Sequence, residues 1–158
     1  MMRLLARAVA MLAAAALFGH AAAADDMRTF AKQGMAYDDV KMDLETAIEG
    51  KGFRIGAVGD LGDMLDRTRA DLNAGAAVYK SAHYMQFCSA VYAHKLAAAD
   101  PKNLGHCPFL MFIYETTAKP GDVVIGYRPF ARTGNAATQA LLGEVDALLE
   151  GIAREALK

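Results

Sequence analysis

The chain holds 158 residues, with 17 basic against 18 acidic side chains and a formal net charge of −1. That length suits one domain able to bury a core without dense disulfide or metal support. Lys and Arg are scattered, so the clustered basic face that nucleic acid or an anionic membrane surface calls for is missing.

Met1 to Ala24 reads as a cleavable signal peptide. Arg3 and Arg7 give a basic start, Ala8 to Phe18 a short apolar run, and Ala22-Ala23-Ala24 the small residues of a cleavage site. The run is too short to span a bilayer core, which needs about 20 residues. The leader holds no cysteine for a lipid anchor. The reading is a mature chain of 25–158 in the periplasm or outside the cell, with no stable membrane anchor after cleavage. Removing two Arg and no acid with the leader leaves 15 basic and 18 acidic groups.

Met27 to Lys32 is predicted as a short edge strand, broken at Gly34. Asp38 or Asp39 is expected to cap a helix with Val40, Leu44, Ala47 and Ile48 on one face and Gly50-Lys51-Gly52 as its stop. Phe53 to Val58 alternates as a strand with one face covered. Asp60 is expected to cap a second helix whose inner stripe is Leu61, Met64, Leu65, Thr68 and Leu72, with Asp63 and Arg67 as a surface pair. Asn73-Ala74-Gly75 ends it.

Lys80 to Cys88 reads as the next strand, with Tyr84, Gln86 and Cys88 on one face and His83, Met85 and Phe87 on the other. Ser89 opens a helix through Ala98, closed at Asp100-Pro101. Cys107 to Tyr114 is the most apolar segment after the leader and the candidate central strand, with Pro108 near its start. Lys119-Pro120-Gly121-Asp122 predicts a turn and Val123 to Tyr127 a partner strand. A C-terminal helix over 136–157 carries Leu141, Val145, Leu148, Leu149 and Ile152 on one stripe. This order predicts an α+β fold, a two-layer sandwich of a mostly antiparallel sheet covered by helices.

Cys88 and Cys107 are the only cysteines. In an exported protein they are a candidate disulfide first and reactive thiols second. A parallel return of the second strand would set them at opposite ends of the sheet, beyond the roughly 7 Å Cα limit for a bond. The stretch from Ala99 to His106 can instead span about 26 Å and bring Cys107 back beside Cys88. Two isolated cysteines, or a bond between subunits, are the other outcomes. As a thiol, Cys88 would gain thiolate character from the helix that follows it. The spacing is not that of a C-x-x-C redox motif.

His83, His94 and His106 lie near the cysteines in sequence and could add ligands for zinc or copper. His106-Cys107-Pro108 is a compact group in which His106 could act as auxiliary ligand or base, and a Cys-Pro pair can serve haem. The bland alternative is surface or hydrogen-bonded histidines, and no cofactor is predicted. Gly56, Gly59 and Gly62 match no phosphate-binding loop and read as turn glycines. Glu115, at the end of the apolar strand, could face a cleft. Nothing resembles a base-activated nucleophile, so the chain reads as a non-enzyme.

Three stretches carry a family resemblance: AYDDVKMDLETAIEGKGFRI, MQFCSAVYAHKLAAADPKNLGHCPF, and the FIYE strand end with its short return strand. Over residues 36–130 the chain resembles the bacterial family called domain of unknown function 302. Its Cys88-Ser89-Ala90 and His106-Cys107-Pro108 depart from the family's usual Cys-Asn-Pro and Pro-Cys. The resemblance implies a small α+β domain, commonly dimeric or tandem, and no established activity.

The leading expectation is an exported binding or accessory domain of unknown ligand, held by a Cys88–Cys107 disulfide and able to form a homodimer. Its partner would be a small molecule or a protein. The competing expectation is a thiol-redox or metal- or haem-linked periplasmic protein using the same two cysteines.

Overall fold

The computed structural model describes residues 27–158, and the leader read in 1–24 lies outside the described residues. The elements are β1 (Arg28–Gln33), α1 (Tyr37–Gly50), β2 (Arg54–Asp60), α2 (Leu61–Arg69), β3 (Tyr79–Cys88), α3 (Ala90–Ala99), a 3₁₀ turn at Pro101–His106, β4 (Phe109–Thr116), β5 (Lys119–Tyr127) and α4 (Ala136–Ala156). The strands form one sheet in the order β1-β5-β4-β3-β2, antiparallel at every pairing. The protein is an α+β fold, and the segment predicted to be central, β4, is the middle strand.

Alternation along the strands divides the sheet into two unlike faces. Met85 and Phe87 of β3, Phe109, Met111 and Ile113 of β4, and Val123, Ile125 and Tyr127 of β5 are buried together on one of them. Onto this face pack Val40, Leu44, Ala47 and Ile48 of α1, the stripe expected from their spacing, and Val145, Leu149, Ile152, Ala153 and Ala156 of α4. In α4, Val145, Leu149 and Ile152 are buried as expected, while Leu142 takes the fully buried place expected of Leu141, which with Leu148 is only partly covered. The buried Asp146 accepts hydrogen bonds from the Phe130 backbone N–H (3.1 Å) and Arg132 Nη2 (3.0 Å). It thereby fastens the segment between β5 and α4.

Three local expectations are corrected. Helix α1 has Ala36 at its N-cap and no side-chain cap; Asp38 and Asp39 sit in its first turn, where their charge complements the helix dipole. Helix α2 is capped by Asp60 as expected, with Oδ1 accepting from the Asp63 N–H at 2.8 Å, and Arg67 pairs with Asp63 at 3.0 Å. Its supposed inner stripe is not inner, however. None of its residues is buried, and Met64, Leu65 and Leu72 are 37%, 46% and 72% exposed. The helix ends at Arg69 and lies against β3, on the face away from α1 and α4, where no further layer covers it.

The third correction concerns the hairpin. Its turn is Thr117-Ala118, and Lys119 already pairs with Thr116. Pro120, Gly121 and Asp122 form a bulge in β5 before Val123 pairs with Glu115. Gly121 takes φ +81°, a conformation open to glycine, and its N–H turns inward to the Glu115 carboxylate.

Cys88 ends β3 and Cys107 precedes β4, and the two form a disulfide with Cα atoms 5.9 Å apart. The return expected of residues 99–106 is made by the 3₁₀ turn. Buried Asn103 steadies it by donating to the Leu96 carbonyl (2.9 Å) and to Thr138 Oγ1 (2.8 Å). The bond spans a sequence separation of 19. Cys88→Ser is therefore expected to cost about 3 kcal/mol on the chain-entropy model, which corresponds to a Tm roughly 10 °C lower in a thermal melt. An unchanged Tm would show that the crosslink does not constrain the fold.

Candidate functional site

The residues singled out from sequence separate into two groups at opposite ends of β3. Cys88, Cys107 and His106 are at one end, where the His106 ring meets Phe130 edge-on at 5.4 Å. His94 is exposed on α3. His83 and Glu115 are at the other end, since Glu115 pairs in register with Ser81. Five residues of strand, about 16 Å, separate His83 from Cys88, so the histidine and the cysteines do not share a site. Among the described residues, no group of three or more His, Cys, Asp or Glu could hold a metal ion.

The His83 end is built from five elements, α1, β2, β3, β4 and β5. Tyr37, the first residue of α1, shares a hydrogen bond between its hydroxyl and His83 Nδ1 at 2.9 Å, and donates to the Ile113 carbonyl at 3.3 Å. His83 Nε2 lies 3.6 Å from Asp60 Oδ2, at the junction of β2 and α2. Burial pushes the Tyr37 hydroxyl pKa up, and the nearby carboxylates of Asp60, Asp38 and Glu115 push the same way. Glu115 is buried, with Oε1 accepting from the Gly121 N–H and from Lys80 Nζ at 3.1 Å. Those two donors hold its carboxyl below the usual range.

The other feature at this end is the second face of the sheet. Phe112 and Tyr114, alternating with the core residues of β4, point away from α1 and α4 and stack at 6.1 Å with their planes 17° apart. Tyr79 meets Tyr114 edge-on at 5.5 Å. Phe112 covers Gly126 of β5, where an added Cβ would fall 2.4 Å from the ring. Tyr84 covers Gly59 of β2 in the same way, at 2.1 Å. Glycine on one strand thus makes room for an aromatic ring on the next.

Above this floor, Leu61 and Leu65 of α2 with Val78 form a wall, leaving a groove of about 650 Å³ that reaches Thr29 on β1 and runs over the strands at Ala82, His83 and Ile113. That volume is in the range of small-molecule sites, which run to about 300–1,000 Å³ with mainly apolar linings. A polar recess of about 380 Å³ adjoins it, sharing Tyr79 and His83 and lined also by Asp60, Asp63, Asp66 and Lys80. Sequence reading missed this floor because it took Phe112 and Tyr114 as two apolar residues of a buried strand. The available signal was the alternation itself. In a middle strand with helices stacked on one face, every second aromatic has to leave by the other.

The family described as "Domain of unknown function DUF302" matches this chain over residues 28–156. A solved structure, described as "Crystal structure of uncharacterized conserved protein DUF302 from Bacillus stearothermophilus", superposes with a TM-score of 0.68. The two are 12% identical, over 84% of this chain and 98% of that one. Identity at this level carries the fold alone. No curated protein matches the chain.

The lowered Glu115 pKa fixes the sign of a pH effect. Its stabilisation is complete above the ordinary carboxylate value and is lost as pH falls through the depressed folded value. Glu115→Gln, which leaves Lys80 and Gly121 facing a neutral amide, is expected to lower stability by about 1–2 kcal/mol at pH 7. In urea denaturation the difference from wild type shrinks toward zero as pH falls through the depressed folded value. A gap that persists there would show that packing, not charge, accounts for the loss.

Proposed function

The chain belongs to the DUF302 family, and we propose on that footing that it is an exported binding domain whose site is the groove over Phe112 and Tyr114. The carrying observation is the one-sided sheet. The core is complete between the sheet and α1 with α4, yet the opposite face keeps an organised aromatic floor and one partly exposed helical wall. A ligand with an apolar body would bury surface that the fold leaves in contact with water. Binding does not require the thiols, because Cys88 and Cys107 are joined to each other at the far end of β3.

Two features support export: the leader composition of residues 1–24 and a disulfide, a bond that persists in oxidising compartments. Expressed from its full sequence in a Gram-negative host, the protein is expected in the periplasmic fraction. Its intact mass should start at Asp25 and be two protons light, with no alkylation before reduction. Cytoplasmic protein with two rapidly alkylated thiols would overturn the export reading and favour the thiol-redox or metal-linked alternative.

The groove itself is tested with N-phenyl-1-naphthylamine, a neutral apolar probe that fluoresces when removed from water. We expect saturable binding to the wild-type protein, weakened about 10-fold or more by Phe112→Ala or Leu65→Glu. Equal binding by wild type and both variants, with unchanged circular dichroism, would remove the groove as the site.

A further inference from the structure

Among the described residues that line the groove, none is Asp, Glu, Lys or Arg. His83 pairs in register with Asp60 and turns its ring to Tyr37, on the core side of the sheet, and the Ile113 side chain is fully buried on that same side. Both therefore give the floor backbone only. Charges around the groove are matched elsewhere. Arg67 pairs with Asp63 at 3.0 Å, Arg69 with Asp66 at 3.1 Å, and Lys80 with Glu115 at 3.1 Å. Asp122 shares a different recess with Lys119, beside the Gly121 bulge. The polar side chains that the lining does offer are hydroxyls: Thr29 on β1, Thr116 at the end of β4, and Tyr79 and Tyr114 at their edge-on contact. Burial pushes the Tyr114 hydroxyl pKa up, so that group is neutral at pH 7.

We infer that the groove takes an uncharged organic molecule, an apolar body on Phe112 and Tyr114 whose polar atoms are hydroxyl or carbonyl oxygens rather than ions. This rests on the groove being the binding site. A ligand charge of either sign would lose hydration against the rings without meeting a counter-ion, the costly case for a charged group. The attraction of the ring faces for a cation is small at a site open to water. A hydroxyl or carbonyl loses far less hydration, and it is met by side chains that both donate and accept hydrogen bonds.

The test uses three ligands with one body and three charges at pH 7: 1-naphthylmethanol, 1-naphthylmethylammonium and 1-naphthoate, each displacing N-phenyl-1-naphthylamine from the full mature chain. The alcohol is expected to bind about 10-fold tighter than either ion. Because no charge on the protein takes part, that order should hold from low to physiological salt. Supplying a charge should then admit the anion. Thr29→Lys, on the exposed edge strand, and Thr116→Lys, at the end of β4, are the variants. At least one should raise naphthoate affinity about 5-fold at low salt and leave the alcohol within about 2-fold of its wild-type value.

An ion that matches or exceeds the alcohol in wild type would overturn this inference while the groove reading stands. So would a naphthoate affinity left unchanged by both lysine variants. A probe that binds the groove but yields to none of the three ligands would likewise overturn the inference alone. If the probe does not bind the wild-type chain, the groove reading falls and the inference falls with it.

Discussion

Phe109, Met111 and Ile113 project from β4 into the helical layer, so Leu110, Phe112 and Tyr114 must leave by the opposite side. Because β4 is the middle strand, its register governs every other strand. A slip of one residue against β3 or β5 would drive the stacked aromatics into α1 and α4 and the core residues into water. The disulfide beside the first residues of β4 and the bulge opposite its last ones bracket that register at both ends. The aromatic floor is thus a by-product of the same constraint that builds the core.

The end of the sheet near α1 shows how polar groups are accommodated at the margin of that core. Tyr37, His83 and Glu115 each have partners, and among the described residues no buried side-chain nitrogen or oxygen lacks one. Such pairing is needed because an unsatisfied buried polar group costs about 1–3 kcal/mol.

Much of the fold was legible because periodicity reports burial directly. The α1 stripe, the Asp60 cap, the two faces of β3 and the central position of β4 all follow from spacing. What was not legible depended on long-range geometry. The α2 stripe has a sound helical pattern, but spacing cannot say whether a layer exists to receive it, and here none does. The Lys119–Asp122 segment has the composition of a turn, yet the pairing of Glu115 with Val123 converts it into a bulge. His83 and Glu115 were identified singly. Their neighbours Tyr37 and Asp60 come from distant elements and carry no local signature. The Cys88–Cys107 contact hinged on the path of eight residues, which reach alone could permit but not determine.

Helix α2 has no fully buried side chain, although it forms one wall of the groove. An element held by so few buried contacts opens locally at a lower free energy than the core strands. Ligand in the groove would supply the missing buried surface, so occupancy and the ordering of residues 61–69 are thermodynamically linked. Part of the intrinsic affinity would then go into holding this wall in place. The heat-capacity change on binding would include the closing of the wall as well as the burial of the ligand. A groove with such a wall would take its width from what fills it, so one scaffold could admit apolar bodies of several thicknesses.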